Sequence, residues 1–136
     1  MRKSIQIFVF LLLAGVLSFL SCSSNKLPDN GIKRLTNEQF RQEASKPNTV
    51  IIDVRTPEEF QTAHIEGAKL MNVEDPENFN RQIQALDPAK HYLLYCRTGK
   101  RSMNAANIMK EKGFKKISDL KGGISEWDGP TVTDKK

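Results

Sequence analysis

The 136-residue chain is 38% hydrophobic and 27% charged, and its 21 lysines and arginines against 16 acids give a net charge of +5. That length holds one domain of ordinary size, and the apolar and charged fractions exclude a wholly disordered chain. Two cysteines, Cys22 and Cys96, exclude a multi-disulfide scaffold and a cysteine-rich zinc site, and two histidines, His64 and His91, with no H-x-x-x-H pair, speak against a histidine metal centre.

Arg2 and Lys3 precede Ile5–Leu20, a 16-residue run with 13 apolar residues and no charge. Ser21-Cys22-Ser23-Ser24 follows. A basic start, an apolar stretch and then small residues is the layout of an export signal, and the run is short for a membrane span of about 20 residues. Cys22, directly after the run, resembles the lipidated cysteine of a bacterial lipoprotein, although Leu20 is bulkier than that pattern usually carries. The expectation is a signal over residues 1–21 and a tether over 22–31. An attached domain on the periplasmic face of a bacterial membrane would follow. An uncleaved anchor or an ordinary signal peptide is the alternative. Residues 1–21 hold two basic residues and no acid, so their removal leaves 115 residues at +3. No Lys/Arg-rich run with interleaved aromatics points to nucleic acid.

From Ile32 onward, strand and helix signals alternate. Thr49–Val54 and Leu93–Tyr95, the latter preceded by His91-Tyr92, are compact apolar runs without polar alternation, which fits strands covered on both faces. Weaker strand candidates are Ile32–Leu35, Ala68–Asn72 and Ile117–Leu120. Thr36, with Gln39 three residues on, predicts a capping box ahead of a helix over Asn37–Ala44. Thr56-Pro57-Glu58-Glu59 and Asp75-Pro76-Glu77 each offer an N-cap, a proline at the first helical position and acids in the first turn. Ser102–Lys112 carries apolar residues at helical spacing and ends at Gly113. The alternation predicts an α/β domain over 32–130, three-layered, with a mostly parallel sheet of about five strands, and a flexible tail over 131–136. Ligands of such sheets sit at the carboxyl ends of the strands, which singles out Asp53–Arg55 and Cys96–Arg101.

Cys96-Arg97-Thr98-Gly99-Lys100-Arg101 concentrates the chemistry. The cysteine leaves a buried strand and enters a tight loop that opens a helix. Three basic side chains, converging loop amides and the helix amino terminus all favour thiolate over thiol. The expected product is a reactive, partly exposed thiolate in an anion-binding cup.

Three segments in register resemble single-domain rhodaneses: Asp53-Val54-Arg55-Thr56-Pro57-Glu58-Glu59-Phe60 with His64-Ile65-Glu66-Gly67-Ala68, the loop Cys96–Ser102, and Gly122-Gly123 with Trp127. The likeness runs from about Ile32 to Gly129. It departs at Ala63, where glycine is common, and at Glu66, where proline is common. The resemblance implies a thiosulfate-type sulfurtransferase without cofactor or metal. Cys96 would attack the outer sulfur of a small anionic donor and become a persulfide, which a thiol or cyanide acceptor would discharge. Backbone N–H groups of residues 97–101, Thr98 and Gly99 among them, would cradle that persulfide. Arg97, Lys100 and Arg101 would attract the donor, and Asp53 and Arg55 would support the site. His64 reads as a fold-stabilising hydrogen bonder and Trp127 as core. Two rivals stand beside this reading. One is a persulfide carrier or partner-binding module at the membrane. The other is a cysteine phosphatase, whose C-x5-R loop is one residue longer than the loop here.

Overall fold

The structure is a computed structural model that describes residues 30–134. The expected signal, Cys22 and most of the tether lie outside the described residues. Among the described residues, no helix is long and apolar enough to cross a membrane.

In chain order the elements are β1 (Lys33–Leu35), α1 (Asn37–Ala44), β2 (Thr49–Asp53), α2 (Pro57–Thr62), β3 (His64–Ile65), β4 (Lys69–Leu70), α3 (Pro76–Gln84), β5 (His91–Tyr95), α4 (Lys100–Glu111), β6 (Lys116–Leu120), a 3-10 turn (Gly123–Glu126) and β7 (Thr131–Val132). The main sheet has the order β1-β6-β5-β2-β4, and every pairing in it is parallel. Local chemistry places the helices. Both Thr36 and Thr56 accept from the amide three residues on, and Gln39 and Glu59 return the bond to the cap backbone, closing two capping boxes. Asp75 caps α3 in the same way through the Asn78 amide.

The five-stranded sheet is the middle of three layers. Tyr92, Leu94 and Cys96 fall on one side of β5 and pack with Phe79 and Ile83 of α3 and Ala105, Ala106 and Met109 of α4. Leu93 and Tyr95 fall on the other side, with Phe40 of α1, Ile124 and Trp127. Burial on both faces explains why β5 reads as a continuous apolar run rather than an alternating one. Cys96 is therefore the last member of an inward-facing row.

The tail differs from its sequence expectation. Thr131–Val132 forms an antiparallel ribbon with His64–Ile65, and the Thr133 hydroxyl donates to the Gln61 carbonyl at 2.9 Å. Two-residue strands carry no period a sequence reading can detect, and Thr131 and Val132 are exposed. α4 also begins two residues earlier than expected, at Lys100, because Gly99 serves as its N-cap.

Candidate active site

Cys96 follows β5 directly, and the loop behind it is fixed from two sides. Gly99 adopts φ +106°, a left-handed conformation open to glycine, and so turns the chain into α4. On the other side the 3-10 turn closes on the loop's exit. The Ile124 amide donates to the Cys96 carbonyl at 2.9 Å and the Ser125 amide to the Arg97 carbonyl at 3.1 Å. Gly123 makes that approach feasible, because a Cβ there would stand 2.4 Å from the Arg97 carbonyl oxygen. The Gly122-Gly123 pair is thus a clamp on the cysteine loop.

Inside the loop, the sulfur occupies the place of a capping side chain. Gly99 has none to offer α4. Cys96 Sγ instead accepts from the Gly99 amide at 3.1 Å, and the Thr98 and Ser102 amides also favour its charged form. Ser102 is the third residue of α4, and its amide is one that an N-cap side chain ordinarily satisfies. The Ser102 hydroxyl lies 3.4 Å from the same sulfur. Burial works against ionisation, but these donors together outweigh it and hold the thiol below its ordinary value. A buried anion-accepting cup around one sulfur is what this geometry offers.

Residues 36–129 match the family pattern of the rhodanese-like domain. The chain belongs to that family. It is 38% identical over 82 residues to the putative sulfurtransferase YtwF of Bacillus subtilis, covering 60% of this chain and 75% of that protein. It is 33% identical over 96 residues to the tRNA uridine(34) hydroxylase of Bacillus pumilus, covering 68% of this chain but 30% of that protein. Among solved structures it resembles the Alr3790 protein of Anabaena sp., with a TM-score of 0.64 and 29% identity over 73% of this chain and 91% of that one. Relatives with such different names share the rhodanese-like domain, so membership alone does not fix the reaction.

Within this domain the sequence-selected residues divide. Arg97, Thr98 and Lys100 are exposed on the rim of the loop, while Gly99 is buried against the sulfur. Arg101, expected at the donor, has carboxylate partners in the structure. It forms a two-pronged ion pair with Glu59 at 2.7 and 2.8 Å and reaches Glu74 at 2.8 Å. Its guanidinium is held by the wall of the site, and the Arg101 hydrogen bonds hold the Glu59 carboxyl down to about 2. Cys96 is also less accessible than expected, at 1% relative exposure, because the loop wraps the sulfur rather than presenting it.

Asp53 and Arg55 form a clip beside the loop. Arg55 bonds both Asp53 carboxylate oxygens, at 2.9 Å (Nε to Oδ1) and 2.6 Å (Nη2 to Oδ2), and donates to the Ala63 carbonyl at 2.7 Å. Both are buried, and the guanidinium lies over the Tyr95 ring. The pair ties β2 to the start of the small ribbon. His64 stacks on Phe60 and shares a 2.8 Å hydrogen bond with the Phe60 carbonyl, as a fold-stabilising histidine should. His91 has partners that the sequence did not disclose, the Ser118 hydroxyl at 2.9 Å and Glu43 at 3.4 Å. Trp127 packs edge-on against Phe40.

Three residues escaped the sequence reading as site members. Ser102 appeared there as a helix start and as the end of the resembling loop, with no role of its own. Asp119 sits in β6, fully buried, and its Oδ1 accepts from the Ser102 hydroxyl at 2.5 Å. Arg34 of β1 donates to Asp119 Oδ2 at 3.2 Å. The one available signal was an aspartate inside a predicted strand, Ile117–Leu120.

Proposed function

We propose that this chain is a sulfurtransferase that carries sulfane sulfur on Cys96. The observation that supports it best is the sulfur's own surroundings: backbone amides and one hydroxyl converge on Sγ. Such a cup favours the thiolate, the nucleophilic form of cysteine. The thiolate attacks the outer sulfur of thiosulfate or a related anion. A Cys96–sulfur bond forms, the donor's sulfur–sulfur bond breaks, and its electron pair leaves with sulfite. The Cys96 persulfide then yields its outer sulfur to cyanide, giving thiocyanate, or to a thiol, giving a new persulfide. Either acceptor regenerates the thiolate, a two-step covalent cycle. Exposed Arg97 and Lys100 draw the dianionic donor to the rim. A phosphatase reading loses support from Arg101, the arginine that would have to face a phosphate, because its guanidinium is committed to Glu59 and Glu74.

Incubation with thiosulfate should add one sulfur atom to the intact protein, and Cys96→Ser should abolish the addition. A mass spectrum without the adduct, or with the adduct retained in Cys96→Ser, rejects this function. We propose further that Cys22 or the apolar run attaches the domain to a membrane after export. Cys22→Ala should release the protein from the membrane fraction if lipidation is its anchor, and a soluble wild-type protein rejects attachment altogether.

A further inference from the structure

Behind Cys96 the Ser102 hydroxyl continues into two further polar groups, Asp119 and Arg34, that the sulfur-transfer steps do not use. The Ser102 hydroxyl stands between two acceptors, Cys96 Sγ at 3.4 Å and Asp119 Oδ1 at 2.5 Å. A serine has one hydroxyl proton and can give it to one of them at a time. Ser102 and Asp119 are both fully buried, so the row is shielded from solvent. At its far end Arg34 donates to Asp119 Oδ2 at 3.2 Å, and its guanidinium lies so close to Gly99 that a Cβ there would meet Nη2 at 2.7 Å. The row therefore begins at the sulfur and ends on a half-exposed cation against the same loop.

We infer that Asp119 is a positioning residue that acts on Cys96 through the Ser102 hydroxyl. With Asp119 ionised, the hydroxyl proton points to the carboxylate and the sulfur lacks that donor. With Asp119 protonated, the carboxyl donates to Ser102 Oγ and frees the Ser102 proton for the thiolate. Passage between the two arrangements moves the thiol proton to Ser102 and the Ser102 proton to Asp119. One bond to hydrogen breaks and one forms at each step, and the net charge of the row is unchanged. Burial raises the Asp119 carboxyl above its usual range, which brings its proton affinity toward that of the thiol; hydrogen bonding to Ser102 and Arg34 opposes the rise. Other charges near the loop are engaged or face outward: Arg101 with Glu59 and Glu74, Asp53 with Arg55, and Arg97 and Lys100 exposed on the rim.

This inference rests on Cys96 as the reactive thiol, and its test reads the thiolate without any sulfur transfer. The rate of alkylation by iodoacetamide is measured against pH in the full chain. Asp119→Asn keeps an oxygen for Arg34 and places an amide donor on Ser102 Oγ, which directs the hydroxyl to the sulfur at every pH. Below the wild-type midpoint it should alkylate about tenfold faster, the scale of one hydrogen bond to a charged group. In a Ser102→Ala background most of that gain should disappear. An unchanged rate in Asp119→Asn overturns the inference, and so does a gain of equal size without the hydroxyl. A second measurement needs no substitution. The Asp119 carboxyl is titrated by 13C NMR in wild-type protein before and after carbamidomethylation of Cys96. Its midpoint should move, and an unmoved midpoint overturns the inference even if the variants fail to fold.

Discussion

Two buried aspartates flank the cysteine loop, and they do different work. Asp53 ends β2 and Asp119 lies near the end of β6, both fully buried. Asp53 meets an arginine that is itself only 6% exposed, through several bonds to both oxygens. Asp119 meets Arg34 through one 3.2 Å bond, and that side chain is 47% exposed. Its other oxygen is left to a hydroxyl that also touches the Cys96 sulfur. A carboxylate whose charge is fully matched becomes a structural clip. One whose charge is matched from a half-exposed arginine keeps a proton affinity that a neighbouring thiol can feel.

That contrast breaks most sharply at the arginines. Arg55→Leu strips Asp53 of its partner in a dry site and should cost about 3–5 kcal/mol, the usual penalty for orphaning one half of a buried ion pair. Arg34→Leu should cost about 1 kcal/mol or less, since the pair is half in water and Asp119 can take up a proton instead. Urea unfolding at neutral pH checks both. Equal losses would mean that the two aspartates are the same kind of feature.

Glu59 supplies a contrast of the opposite sign. Its carboxyl is held down to about 2 by Arg101, whereas Asp119 is pushed up by burial. A depressed carboxyl contributes stability that is complete above its unfolded value of about 4.3 and is lost as pH falls through the folded value. Glu59→Gln should therefore destabilise the domain by about 1 kcal/mol at pH 7, after discounting for solvent, with the difference shrinking toward pH 2. Asp119→Asn should show the reverse slope. Removing a carboxyl whose folded value is raised relieves a penalty that grows as pH climbs above about 3.9, so the variant gains on wild type as pH rises. Unfolding curves at a series of pH values check both slopes, and parallel slopes would erase the distinction.

The sequence disclosed this domain unevenly, for physical reasons. The α/β architecture was legible because β2 and β5 are apolar runs covered on both faces, and because Thr36, Thr56 and Asp75 announce their helices through local side-chain bonds. The Cys96 loop was legible because strand exit, glycine and helix start are consecutive in the chain. Asp119 and Arg34 were not, since they reach the sulfur across 17 and 85 residues of separation, from Ser102 to Asp119 and from Arg34 to Asp119. Arg101 shows the converse. Nearness to Cys96 in sequence suggested that it serves the donor, yet its partners Glu59 and Glu74 come from other segments and turn it into the wall. Local patterns predict elements well, and long-range charge pairing decides what a side chain is for.

The smallest expected effect lies at the rim, where exposure makes each charge weak. Arg97 and Lys100 are exposed, and among the described residues neither side chain makes a hydrogen bond or ion pair. In the proposed sulfur transfer their part would be long-range attraction of a dianion, which salt screens over about 10 Å at 0.1 M. Lys100→Gln should lower kcat/KM for thiosulfate by about threefold at low salt, through capture rather than kcat, and leave unfolding unchanged within about 0.5 kcal/mol. Arg101→Gln should invert that pattern, losing stability through Glu59 while changing the salt dependence little. Thiosulfate kinetics at two ionic strengths, beside urea unfolding of the same proteins, separate the two. If Lys100→Gln is insensitive to salt while Arg101→Gln is steeply sensitive, the donor is met by Arg101, and the Glu59 pair opens to let it.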